Sequence, residues 1–155
     1  VTTLKSGGKI LTCGNGGSAA DALHLAEELV GRFRGNRRSL PAVSLTADAT
    51  LLTCIGNDYG FDEIFSRQVE GLANKNDLLV CFSTSGNSPN ILRAINAAKT
   101  KGVKSVAFLG KGGGKSKGGA DFEMIVASSD TGRVQEAHTL LLNALLEVVE
   151  REVTA

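Results

Sequence analysis

The sequence predicts an α/β fold: one doubly wound domain built on a five-stranded parallel sheet flanked by helices. Three observations predict it. Short apolar runs alternate with longer segments of helical periodicity, loops of small residues follow the strand ends, and no linker or internal repeat divides the chain. With 155 residues, 42% of them hydrophobic, the chain is long enough for one core and too short for two ordinary domains. A single domain over 1–155 is expected.

The first apolar run, at 9–13, reads as a strand that ends in Gly14-Asn15-Gly16-Gly17-Ser18, and a helix over 19–34 follows. Ser18 with Asp21 three residues on reads as a capping box for it. A second strand at 41–46 leads to "IGNDYG", read as a loop, and to a helix over 62–72. The third strand, 78–82, runs into Ser83-Thr84-Ser85-Gly86-Asn87-Ser88-Pro89, where Ser88-Pro89 reads as an N-cap and first helical residue for 90–100. Strands at 105–109 and 122–127 enclose the glycine-rich loop 110–119, and a helix over 134–153 closes the chain. This last helix is apolar over more than the stripe one sheet covers, which points to an oligomer interface or to deep burial.

Lys plus Arg is 17 and Asp plus Glu is 16, so no strong field favours nucleic acid or an anionic membrane. The apolar runs are too short for the roughly 20 residues that span a bilayer. Val1 to Gly8 lacks a basic region followed by an apolar one, so no signal peptide is expected and the expected compartment is the cytoplasm. Cys13, Cys54 and Cys81 lack zinc-type spacing and read as reduced thiols packed as small hydrophobes. Nineteen glycines against no tryptophan and one tyrosine favour a backbone-lined site over aromatic platforms.

In a doubly wound sheet, ligands sit beyond the carboxyl ends of the strands. There the Ser83–Ser88 loop offers four hydroxyls and a glycine just before a helix N-terminus. Unpaired N–H groups and the positive end of the helix dipole make that place suited to a phosphate monoester; otherwise the hydroxyls are caps and turns. Two decoys are set aside. Gly14 to Ala19 fits G-x-G-x-x-[GA], but the acidic residue a dinucleotide needs about 20 residues on is absent. "GKGGGKS" at 110–116 misses the phosphate-loop pattern because Leu109 stands where glycine is required. It reads as a flexible basic loop, or as a lid that touches substrate. His24 and Glu28, at i and i+4, share a helix face that Arg32 continues, and such a pair serves as a metal half-site, an acid/base couple or a plain surface pair. Asn57-Asp58 offers another polar pair, or a turn.

Taken together, "CGNGGSAADALHLAEELVGRF", "SLPAVSL", "IGNDYGFDEIFSRQV", "STSGNSPNILRAI" and "RVQEAH" resemble the sugar isomerase (SIS) domain family and, within it, the phosphoheptose isomerases. The resemblance covers nearly the whole chain and implies a flavodoxin-like three-layer sandwich in a homotetramer. Members of the family begin with a further helix upstream of the segment matching Val1, one that helps to build the tetramer. The implied activity is the interconversion of sedoheptulose 7-phosphate and D-glycero-D-manno-heptose 7-phosphate for lipopolysaccharide or another surface glycan. By resemblance, Ser83, Thr84, Ser85 and Ser88 cradle the phosphate, and Asn15, Gly16, Gly17, Asn57, Asp58 and Arg32 contact the sugar. Glu28 is the implied base with His24 beside it, and His24, Glu28 and Gln135 are implied ligands of zinc. The family's acid/base histidine two turns beyond the glutamine is Asn143 here. His138, about 140° away around the helix, reads as a packing or interface residue instead. Paralogues that associate with a replication initiator share the domain and the asparagine at that position, so a non-catalytic binding or regulatory module is the alternative reading.

Overall fold

The computed structural model describes residues 1–154. Its strands are β1 (Ile10–Gly14), β2 (Ala42–Ser44), β3 (Leu78–Ser83), β4 (Lys104–Leu109) and β5 (Phe122–Ile125). They form one parallel sheet in the order β2-β1-β3-β4-β5. The order reverses between β1 and β3, so the loops leaving those two neighbours diverge to opposite faces and open a crevice between them. The two central strands are largely apolar because both faces are covered: every residue of β1 is buried, as is β3 from Leu79 to Ser83.

The helices are α1 (Thr2–Lys5), α2 (Gly17–Val30), α3 (Ala49–Tyr59), α4 (Ser66–Leu72), α5 (Pro89–Thr100) and α6 (Thr131–Thr154), with 3₁₀ turns at Phe61–Glu63 and Lys111–Ser116. Two cores result, one on each side of the sheet. On one side Leu25 and Leu29 of α2 and Leu142, Leu146 and Val149 of α6 pack on Ile10, Val80, Phe82 and Phe108. On the other, Ile55, Val69, Ile91, Ala94 and Ile95 from α3, α4 and α5 pack on Leu11, Cys13, Leu79 and Cys81. This is the three-layer sandwich expected.

Several local expectations are corrected. Asp48 accepts the Leu51 amide at 2.9 Å and starts a helix over what read as a loop, so Asn57 and Asp58 lie in the last turn of α3. The segment 62–72 is a 3₁₀ turn followed by the shorter α4, not one helix. α2 begins at Gly17 with Gly16 as its cap residue, so Ser18 and Asp21 do not form a capping box. Cys13 and Cys81 are buried and in register on β1 and β3, with sulfurs 3.4 Å apart, but Cys54 is exposed on α3. The loop over 110–119 is pinned rather than free: Ser116 N–H donates to Gly86 O at 2.8 Å and Lys115 N–H to Asn87 Oδ1 at 3.0 Å. On α6, Leu140 is 70% and Val148 45% exposed; these, with Ala144, form the surplus apolar stripe anticipated for this helix.

Candidate functional site

The loop after β1 and the loop after β3 meet at the switch point. A cavity of about 70 Å³ between them is lined by Asn15, Ser18, Phe82, Ser83, Thr84, Ser85 and Ser88. The cavity is polar and has room for a few waters or one small oxyanion. The loops are locked together by a reciprocal amide pair. Asn15 Nδ2 donates to Asn90 Oδ1 at 2.8 Å and Asn90 Nδ2 returns a bond to Asn15 Oδ1 at 2.9 Å. Within the second loop, Ser83 Oγ accepts the Gly86 amide and Ser85 Oγ the Asn87 amide, each at 3.1 Å. Gly14 is needed for the close approach, since a Cβ there would stand 2.2 Å from the Ser18 carbonyl oxygen. Ser88 occupies the cap position of α5 with Pro89 first in the helix, but its hydroxyl makes no capping bond. The helix ends thus point at the cavity from two sides.

The second half of the site lies along α2. His24 Nε2 stands 3.4 Å from Glu28 Oε1, with their side chains 34% and 18% exposed. Glu27 joins them: one ligand atom from each of the three lies within 4.8 Å of the others. Gln135 comes from the start of α6 and rests on the first turn of α2, where a Cβ on Gly17 would meet its Nε2 at 2.2 Å. Gly17 precedes His24 by seven residues, about 10 Å of helix rise, so Gln135 sits nearer the loop mouth than the His24–Glu28 pair does. Asn143 is half-buried on α6.

Between these helices is a buried polar cluster. Thr139 Oγ1 donates to Asp21 Oδ1 at 2.8 Å, while Asp21 Oδ2 has no partner. Burial raises the Asp21 carboxyl above its ordinary value, against the opposing pull of the Thr139 hydroxyl and of the neighbouring histidines. His138 is fully buried against the Phe82 and Phe108 rings, and its Nε2 lies 3.2 Å from Leu109 O. Burial lowers its pKa, so it stays neutral and packs. That accords with its expected packing role.

Of the residues singled out from sequence, Asn15 and Ser83, Thr84, Ser85 and Ser88 line the cavity, while Gly16 and Gly17, the cap and first residue of α2, fall between the lining residues Asn15 and Ser18. Arg32 lies just beyond α2, its Nη1 on the Arg34 carbonyl at 3.3 Å. Asn57 and Asp58 are exposed on α3, bonded to each other at 2.8 Å, and do not line the cavity. Sequence reasoning missed Asn90, Ser18 as a lining residue, and Glu27. Asn90 was findable, as an asparagine on the apolar face of α5 that carries Ile91, Ala94 and Ile95.

The SIS domain family model matches residues 1–110. The phosphoheptose isomerase of Campylobacter concisus is 54% identical over 148 residues, covering 96% of this chain and 78% of that one. The solved phosphoheptose isomerase GmhA of Neisseria gonorrhoeae superposes with a TM-score of 0.91 at 44% identity, over 97% of this chain and 80% of that one. That of Francisella tularensis gives 0.92 at 38% identity, over 96% and 79%.

Proposed function

The chain belongs to the SIS domain family, and we propose that it works as a phosphoheptose isomerase, interconverting sedoheptulose 7-phosphate and D-glycero-D-manno-heptose 7-phosphate. Its standing as an aldose–ketose isomerase rests on relatives of that kind at about 50% identity over nearly its whole length. The observation that carries the mechanism is the His24–Glu28 pair, 3.4 Å apart on the helix that starts at the hydroxyl-lined cavity.

In this reading the phosphate enters the cavity, where the Ser83, Thr84, Ser85 and Ser88 hydroxyls and the N-terminus of α5 receive it. The sugar chain then extends along α2 past Gly16 and Gly17 toward His24, with Arg32 at the far end. Asn57 and Asp58 reach sugar only if the outer turn of α3 faces the bound chain. Glu28 takes a proton from C1 of the ketose, the electron pair forms the C1=C2 bond, and charge develops on the C2 oxygen. Passage of the O1 proton to the C2 oxygen and return of the carbon proton to C2 leave the aldehyde at C1 and a hydroxyl at C2. His24 is placed to hold Glu28 and to serve the oxygens that gain and lose protons.

The donor set also fits a zinc ion. One imidazole and two carboxylates lie within 4.8 Å of one another, a nitrogen and oxygen set that suits Zn²⁺. We assign the ligands to His24 and Glu28, with Glu27 in reach; Gln135, resting on the first turn of α2, joins them only if its side chain swings along the helix. Zinc bound there would supply Lewis-acid polarisation of the substrate carbonyl. A homotetramer formed through α6, a cytoplasmic location and a product destined for lipopolysaccharide complete the proposal. Among the described residues no helix is long and apolar enough to cross a membrane.

Asn143 favours the second reading, a sugar-phosphate-binding module without turnover, because a carboxamide neither takes up nor releases a proton at neutral pH. The deciding experiment is turnover of sedoheptulose 7-phosphate by wild type, Glu28→Gln and Asn143→His, with added zinc and with chelator. Turnover by wild type that Glu28→Gln abolishes supports the isomerase. Activity confined to Asn143→His establishes the binding module.

A further inference from the structure

Arg37 lies in the loop beyond α2, outside the cleft, and the isomerase chemistry makes no direct use of it. Its side chain is nevertheless only 3% exposed. Nη2 donates to the Glu28 carbonyl at 2.7 Å, Nη1 to the Leu29 and Arg38 carbonyls at 3.0 Å each, and Nε to Glu150 Oε1 at 3.2 Å. A buried cation is retained where it is paired and its donors are used, and here four bonds meet that demand.

The place matters as much as the pairing. The last carbonyls of a helix have no partner within it. In α2 they are met from outside: Glu27 O by the Gly31 amide at 2.7 Å, Leu29 O by the Leu40 amide at 3.0 Å, Val30 O by Ser39 Oγ at 2.8 Å. Glu28 O is met by Arg37, whose charge also complements the negative end of the helix dipole. The other side of the same fork holds Glu150, which belongs to α6 and also accepts the Arg34 and Gly35 amides at 3.1 Å. One guanidinium therefore binds the backbone of residue 28 to α6. At the opposite end of α2, Thr139 of α6 holds Asp21. The His24–Glu28 face runs between these two ties.

We infer that Arg37 is a positioning residue for Glu28: its planar fork fixes the last turn of α2 against α6 and so sets where the Glu28 carboxylate stands relative to His24. The inference rests on Glu28 being the base. A lysine keeps the charge but cannot span two helix carbonyls and a carboxylate at once, because its ammonium is a single point on a flexible stem.

The test compares wild type, Arg37→Lys and the milder Glu150→Gln, with kcat and KM for sedoheptulose 7-phosphate expressed per folded molecule by circular dichroism. Displacing a reacting group by roughly 1 Å costs about 100-fold. Arg37→Lys is therefore expected to lower kcat by about 10- to 100-fold with KM changed less than about threefold. Glu150→Gln should give a smaller fall of the same kind. Millimolar guanidinium should restore part of the kcat of Arg37→Ala. A crystal structure of Arg37→Lys should show the Glu28 carboxylate moved from its place beside His24. A kcat per folded molecule within about twofold of wild type, or a Glu28 carboxylate unmoved in that crystal, overturns the inference. Absence of turnover in wild type would sink the isomerase reading instead, and the crystallographic comparison would still decide Arg37.

Discussion

Gly86→Ala probes the joint between the hydroxyl-lined loop after β3 and the basic loop behind it. Gly86 has φ +62°, and a Cβ built there would lie 1.9 Å from the Gly113 carbonyl oxygen and 2.4 Å from its carbon. The left-handed backbone alone costs alanine about 1–2 kcal/mol. The overlap is with backbone and not with a yielding side-chain end, so the loop over 110–116 must move. That breaks the Ser116–Gly86 and Lys115–Asn87 bonds, each worth about 1 kcal/mol. The sum is about 3–4 kcal/mol, or a fall of roughly 6–16 °C in Tm for a chain of this size. Gly102 is the control: its φ is +68° and nothing lies within 4 Å of an added Cβ, so Gly102→Ala bears the backbone cost alone. Calorimetry on both variants isolates the overlap as their difference. KM for sedoheptulose 7-phosphate should rise in Gly86→Ala and stay level in Gly102→Ala. Equal melting temperatures for the two variants would refute the close packing of the two loops.

Three further outcomes are expected. Ser85→Ala removes one hydroxyl from the cavity and should raise KM about 10-fold or more, since a hydrogen bond to a charged group is worth about 1.5–3 kcal/mol; unchanged affinity would refute the cradle. Burial raises the Asp21 carboxyl, so the folded state holds its proton more tightly than the unfolded state and stability falls as pH rises from about 3.9 through the folded value. Asp21→Asn still accepts from Thr139 and should be at least as stable as wild type at pH 7, with a flatter acid limb in urea titrations; a pH-independent loss would contradict this. At the other end of the sheet, burial would raise Asp77, but Lys9 and the Lys9 and Asn74 amides hold it lowered, a contribution present at neutral pH and lost as pH falls through the folded value. Asp77→Ala leaves Lys9 and two amides without their partner and should cost about 3–5 kcal/mol; a denaturant midpoint equal to wild type would show the cluster to be idle.

The alternation of apolar runs with amphipathic segments fixed five strands, their parallel order class and the crevice at their carboxyl ends, because burial on both faces requires continuous apolar runs. The hydroxyl loop was legible too, since its residue types suit an anion wherever the chain carries them. α3 was not legible: Thr53, Cys54, Gly56, Asn57 and Asp58 are weak helix formers, only Ile55 of that helix is buried, and it stands by the Asp48 cap and its packing on Ile64 and Phe65. Nor was the role of Ser18 and Asp21, whose spacing suits a capping box but whose partners are the cavity and Thr139. The Asn15–Asn90 pair joins residues 75 apart in sequence, and Arg37–Glu150 joins residues 113 apart. A local pattern reports which side chains share a strand or a helix face. Only the packing of α2, α5 and α6 on a twisted sheet decides which of those faces meet, and that is where this site is made.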